Sequence, residues 1–370
     1  MLKRFEVSGF KQFGHLVWDF SRTREYAFNQ NCVKDGLVRD GLIYGANASG
    51  KTNLGLALFD ITAHLTDKNS ADDLYRYYLK ADEDVKYADF RYDFQFSGNH
   101  SISYGYRKSS HRLLLGEELT IDGRLVLRWP DAGGIFIDPE FQEMYKFGDM
   151  KWDFQSSDLS AVKYVFNNML SDSSSLLFQF RTFVNGMLWF QRNDLNNRYI
   201  GYLNTHEDIY DYIVREGYIG DFEKFLHELG EIAVKLAAIQ NPDGNSELYF
   251  DYGQKIPFSK AASSGTRALS LFYYWLKHRK GITFLFIDEF DAFYHFKLAK
   301  KVFQYLISDF SGQAMVTSHN IDLLTNRITR PDCCFVVRNG QIASFADSTS
   351  REIRQGNNLE RLYVGGEFDE

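Results

Sequence analysis

Three short apolar runs end abruptly in polar residues and set the frame of the chain. Leu42, Ile43 and Tyr44 run into a glycine-rich turn. Phe284, Leu285, Phe286 and Ile287 run into Asp288 and Glu289, and Ala314, Met315 and Val316 run through Thr317 into Ser318, His319 and Asn320. Runs of this length without alternation predict parallel strands buried on both faces. Elsewhere the period is two: Phe90, Tyr92, Phe94 and Phe96 alternate with Arg91, Asp93 and Gln95, and Ile102, Tyr104 and Tyr106 repeat the pattern. With Asp122-Gly123 as a hairpin signal between residues 119–121 and 125–127, this predicts an antiparallel meander. Residues 1–20 predict two further strands around a turn, and 333–337 and 342–345 a hairpin around Asn339-Gly340. Helices are expected over 53–81, over most of 138–240, and over 269–278 and 296–308. Phe222, Phe225, Leu226, Leu229, Ile232, Ala233 and Leu236 make a stripe at helical spacing. No heptad pattern lasts long enough for a coiled-coil arm.

Composition narrows the picture little. With 370 residues, 44% hydrophobic and 25% charged, the chain can bury one or two ordinary cores. A net charge of −7 gives no bulk basic footprint for nucleic acid, although a local patch could still bind it. Three cysteines, Cys32, Cys333 and Cys334, have neither disulfide nor metal spacing and fit a reducing compartment. No apolar run reaches the roughly 18 residues of a membrane span, and the first residues lack a signal-peptide core. A cytoplasmic protein without membrane contact is expected.

The chemistry concentrates at the ends of the apolar runs. Gly45-Ala46-Asn47-Ala48-Ser49-Gly50-Lys51-Thr52 fits G-x-x-x-x-G-K-[ST], between a strand and a helix beginning near Asn53, and Asn53 is expected to bind nucleotide with the loop. The glycines let backbone N–H groups wrap an anion, Lys51 reaches the outer phosphates and Thr52 holds Mg²⁺. Lys11 and Phe13, in the turn between the first strands, are candidates to flank the phosphates and carry the adenine. Hydrolysis also needs a metal anchor and a group that orients water. Asp288 and Glu289 supply these in turn, and His319 can touch the γ-phosphate and report its presence. Ser263-Ser264-Gly265-Thr266 before an apolar helix is a second anion site, so one ATP held between two subunits is expected.

Together these motifs resemble the ABC-type ATPases of the SMC, RecF and OLD group. Val7-Ser8-Gly9-Phe10-Lys11-Gln12-Phe13-Gly14 is similar to their N-terminal strand, Gly45 to Thr52 to Walker A, and the run ending in Asp288-Glu289 to Walker B with its catalytic glutamate. Ala262-Ser263-Ser264-Gly265-Thr266 resembles the signature motif, Phe290-Asp291-Ala292-Phe293-Tyr294-His295 the D-loop, and Thr317-Ser318-His319-Asn320 the switch. The ending Asn358-Leu359-Glu360-Arg361-Leu362-Tyr363-Val364-Gly365-Gly366 resembles that of compact OLD-like members. The likeness covers about residues 1–60 and 255–366, and the Q-loop glutamine is not placed.

The resemblance implies an α/β P-loop NTPase of ABC (SMC/RecF-like) type, with a mixed sheet, an antiparallel β meander, a helical insertion and no long coiled coil. The expected parts are an N-terminal half of the ATPase head (1–130), a mainly helical insertion (131–245) and a C-terminal half of the head (246–370). It implies an ATPase that uses ATP and Mg²⁺, dimerises around nucleotide, and gates a separate nuclease or toxin in anti-phage defence, as in PARIS-like and Septu-like pairs. No Toprim nuclease is read after the switch. The alternatives are a RecF-like DNA clamp, for which Lys297, Lys300 and Lys301 could supply a basic face, and an ATP-dependent scaffold that holds a toxin inactive. A small-molecule P-loop kinase fits poorly with the wide gap between the Walker motifs and with the second anion site.

Overall fold

The computed structural model describes all residues except 82–83, 132–133, 149, 153–158, 170–171, 192–197, 204–206, 241–245, 293 and 370. Phe293 of the expected D-loop therefore lies outside the described residues. Two seven-stranded sheets organise the rest. One is antiparallel throughout, in the order Gly134–Ile137, Arg124–Asp131, Leu114–Ile121, Ser101–Lys108, Ala88–Gln95, Leu2–Phe10, Phe13–Asp19. The other runs Arg198–Gly201, Met187–Gln191, Phe284–Asp288, Gln313–Thr317, Asp40–Tyr44, Cys334–Arg338, Gln341–Ser344; its five inner strands are parallel and its two edges antiparallel.

Alternation along each inner strand divides the packing. Ile43, Phe284, Phe286, Met315 and Phe335 join the core shared with the antiparallel sheet. Leu42, Leu285, Ile287, Val316 and Val336 face the helices Ile209–Arg215, Ile219–Glu228, Ser264–His278 and Phe296–Asp309. Both faces are covered, so the strands read as apolar runs. The Lys51–Leu65 helix lies between the sheets and buries 11 of its 15 residues, as expected of a helix with apolar residues on every side. Gly55 allows the close approach: a Cβ there would stand 2.7 Å from Trp189 Nε1 and 2.8 Å from Phe286 Cε1.

Three expectations need correction. The helix expected over 53–81 stops at Leu65. Beyond it the Asn69 backbone is engaged in a different way, donating to Leu203 O and accepting from Gly201 N. The stretch 131–245, expected as a mainly helical insertion, also gives the central sheet two strands, Met187–Gln191 and Arg198–Gly201. The stripe through Leu236 breaks as well: the helix ends at Glu228, Glu231 takes a φ of 56°, and Leu236 opens a strand paired with Ser246–Asp251. Among the described residues the longest helices have 15 residues, and none is long and apolar enough to cross a membrane. Cys32, Cys333 and Cys334 are free and buried.

Candidate functional site at the carboxyl edge of the parallel sheet

Parallel register brings the expected motifs to one edge. Leu285, Phe286 and Ile287 lie beside Ala314, Met315 and Val316, which lie beside Asp40, Gly41 and Leu42. The strands therefore deliver Gly45, Asp288, Glu289 and His319 to neighbouring positions. This is where open α/β sheets bind ligands, because loops leaving the strand ends can converge there.

The P-loop has the form the motif requires. Gly50 takes a φ of 103° and opens the helix at Lys51. Lys51 is buried, and its Nζ donates to Gly45 O (2.8 Å) and Ala46 O (3.1 Å). Burial lowers its pKa, against the pull of Asp288, Glu289 and Asp291. Asp288 is 1% exposed. It accepts from Thr317 Oγ1 (2.8 Å) and Gln191 Nε2 (3.1 Å), and also from the Thr52 hydroxyl. Burial raises its pKa to about 6, because the hydroxyl donors and the Lys51 charge offset only part of the desolvation.

Glu289 turns outward. It is exposed, takes a left-handed φ of 52°, and donates its N–H to Thr317 Oγ1 (2.8 Å). A non-glycine residue held in that region costs about 1–2 kcal/mol, and such strain concentrates at functional sites. Thr317 thus binds both carboxylate residues, a role its position in the switch motif did not announce. His319 is exposed, and its N–H donates to Asp291 Oδ1 (3.1 Å), tying the expected D-loop to the switch. Tyr44 Oη, from the strand before the P-loop, donates to Asn320 O (2.9 Å) in the same switch.

Some expected residues sit elsewhere. Lys11 Nζ donates to Leu74 O (3.0 Å) and Arg76 O (3.2 Å), so its ammonium serves the turn instead of the phosphate loop. Phe13 is fully buried in the core and presents no face to a base. Ser263 caps the helix Ser264–His278, accepting from Thr266 N (3.1 Å), with its hydroxyl 2.8 Å from Thr266 Oγ1. Ser263 and Ser264 are exposed, and Gly265 is half-buried.

Three contributors were missed. Gln12, beside Lys11, hydrogen-bonds both Ser49 and Asn53 of the P-loop segment. Gln191 reaches Asp288 from a strand whose apolar run Met187-Leu188-Trp189-Phe190 and terminal polar residue repeat the signal of the other three. Tyr363 meets the Gly45 backbone through its hydroxyl and stacks on Phe345 (5.6 Å between ring centroids). The donor set fits a hard divalent cation: Asp288 and Thr52 present oxygens, with the carboxylate hydrogen-bonded by neutral donors and offset in part by the Lys51 charge.

The chain is similar to an SMC head bound to the C-winged helix domain of ScpA, at 16% identity over 93% of this chain and 97% of that one, with a TM-score of 0.44. It is similar to the SMC head domain from Thermotoga maritima at 14% identity, covering 92% and 97% of the two chains (TM-score 0.42). The recombination mediator protein RecF in the RecFOR pathway is 14% identical, over 93% and 98% (TM-score 0.41). The chain matches no curated protein. Residues 42–326 match the family described as "AAA domain, putative AbiEii toxin, Type IV TA system". That match takes in the P-loop, the Asp288-Glu289 strand and the switch, and the chain belongs to this AAA-domain family.

Proposed function

We propose that the chain binds and hydrolyses ATP with Mg²⁺, closes as a dimer around the nucleotide, and gates a separate nuclease or toxin in anti-phage defence. The observation that carries the catalytic part is the meeting of Lys51, Thr52, Asp288 and Glu289 at one sheet edge, with Asp288 buried and reached by the Thr52 hydroxyl. Lys51 exchanges its two carbonyl partners for phosphate oxygens, and the loop amides take the remaining charge. Thr52 and Asp288 would hold Mg²⁺, which supplies charge neutralisation on the phosphates, and Gln191 orients Asp288. Glu289, outside the sheet and free of its hydrogen-bond ladder, orients the attacking water and takes its proton. His319 meets the γ-phosphate. Ser263, Ser264 and Gly265 serve the partner's nucleotide from an accessible helix start, and Thr266, buried and hydrogen-bonded to Ser263, holds that start in place. The toxin–antitoxin wording of the family description favours the effector reading over a DNA clamp.

Glu289→Gln tests the whole. With Mg²⁺-ATP it should bind nucleotide, accumulate as a dimer in light scattering, and turn over at least about 100-fold more slowly than the parent. It should retain one stoichiometric nuclease or toxin from its host. Unchanged turnover removes Glu289 from the chemistry, and recovery of DNA with no protein partner replaces the effector by a clamp.

A further inference from the structure

We infer that Gln12 is a positioning residue for nucleotide binding: its carboxamide ties the tip of the first hairpin to the P-loop and holds the phosphate cradle in shape. The inference rests on the nucleotide-binding reading above and names what supports that site from outside its motif.

The hairpin cannot slip. Strands Leu2–Phe10 and Phe13–Asp19 pair with Phe10 opposite Phe13, and both rings are fully buried. A one-residue shift would turn them to the other face. Lys11 fixes the two-residue turn: it takes a φ of 49°, its N–H donates to Tyr78 O (3.0 Å), and its ammonium holds Leu74 O and Arg76 O. With its neighbour anchored in this way, Gln12 reaches across to the P-loop. Nε2 donates to Ser49 O (2.8 Å), and Oε1 accepts from Asn53 Nδ2 (2.6 Å).

Both ends of the amide are used, which sets its orientation. Ser49 and Asn53 bracket Gly50, Lys51 and Thr52, the residues proposed to meet phosphate and metal. An anion cradle needs its N–H groups turned inward, so its carbonyls must find donors elsewhere. Gln12 is that donor for Ser49. The approach is close: a Cβ on Gly50 would lie 2.0 Å from Gln12 Nε2. The second P-loop glycine is therefore required by Gln12 as well as by its own φ.

The test measures ATP and ADP binding and turnover for the full chain, Gln12→Ala, Asn53→Ala, the double variant and Lys51→Ala. Gln12→Ala should raise the Kd of both nucleotides about tenfold while kcat at saturating ATP changes by less than about twofold, since a cradle serves ground state and transition state alike. The double variant should bind no more weakly than the weaker single variant, because the two share one contact. Gln12→Glu keeps the acceptor for Asn53, loses the donor to Ser49 and adds charge near the phosphates, so it should weaken ATP more than ADP. Parental affinity in Gln12→Ala, or multiplied effects in the double variant, overturns the inference. If Lys51→Ala also binds ATP normally, the nucleotide-binding reading falls with it; if Lys51→Ala alone loses binding, only the role of Gln12 falls.

Discussion

Two buried aspartates, Asp60 on the P-loop helix and Asp288 at the end of a central strand, show what separates a structural charge from one poised for chemistry. Asp60 faces the antiparallel sheet and is fully buried. Its Oδ1 takes Lys108 Nζ (2.7 Å) and Tyr106 Oη (2.9 Å), its Oδ2 takes Tyr78 Oη (2.9 Å), and His111 lies beside it at 3.4 Å. Burial alone would raise its pKa, but Lys108, which also hydrogen-bonds it, and the neighbouring His111 outweigh it and hold the carboxyl well below the ordinary range. Asp288 in the parallel sheet is as buried, yet its hydrogen-bond donors are neutral and its pKa moves the other way. A buried carboxylate with its cation inside the chain is finished; one without it has a place for a cation from outside.

The largest test of this contrast exchanges the lysines. Lys108→Met leaves Asp60 buried without its cation and should cost roughly 3–5 kcal/mol of stability in urea unfolding. Lys51→Met removes a donor to two loop carbonyls, one of them on exposed Ala46, and a charge that offsets part of the Asp288 desolvation, and should cost about 1–2 kcal/mol while abolishing ATP binding. Equal losses from the two changes would break the distinction between the two aspartates.

A smaller effect has opposite signs at the two aspartates. The Asp288 carboxyl rises from 3.8 to about 6 on folding. Between those pH values the folded chain keeps a proton that the unfolded chain has released, so stability falls as pH rises through the window and stays lower above it. Asp288→Asn should remove that slope and leave the nucleotide-free protein about 1–2 kcal/mol more stable at pH 7.5, at the expense of Mg²⁺-dependent nucleotide binding. Asp60 contributes stability above its unfolded pKa that is lost as pH falls through its depressed folded value. Asp60→Asn should therefore destabilise at pH 7.5. Unfolding curves from pH 4 to 8 decide the matter, and destabilisation by both asparagines would show that Asp288 is already compensated within the chain.

The same contrast explains what the sequence made legible. Parallel strands buried on both faces leave apolar runs, and their chemistry stands in the adjacent residues. Thus 45–52, Asp288-Glu289 and the switch could be read without the fold. Met187-Leu188-Trp189-Phe190 carries the same signal, but a short apolar run amid helical segments does not reveal whether it is a strand or a helix turn. Lys108 was legible as an anomaly: it continues the inward parity of Ile102, Tyr104 and Tyr106, where a lysine requires a buried anion. Gln12 could not be read, because its meaning lies 37 residues away in Ser49. Lys11 drew attention for its charge, and three-dimensional packing gave that charge to backbone carbonyls.

The smallest predicted effect sharpens the picture at the other end of the P-loop. Gln12 holds the side near Gly50, whereas Tyr363 of the helix Leu359–Val364 holds Gly45, where the loop leaves its strand. The Tyr363 ring is stacked on Phe345, with interplanar angle 8°, and lies 5.5 Å from the Tyr44 ring. Removing the hydroxyl keeps this packing and deletes one hydrogen bond. Tyr363→Phe should therefore cost about 0.5–1.5 kcal/mol in the nucleotide-free state. Because Gly45 also supplies a carbonyl to Lys51, the change should weaken ATP binding about two- to fivefold, a fraction of the Gln12→Ala effect. Thermal unfolding with and without Mg²⁺-ATP separates the two losses: a brace on the loop reduces the shift that nucleotide produces, whereas simple packing lowers both midpoints equally. An unchanged nucleotide-induced shift would confine Tyr363 to the core and leave Gln12 as the support of the cradle that matters for binding.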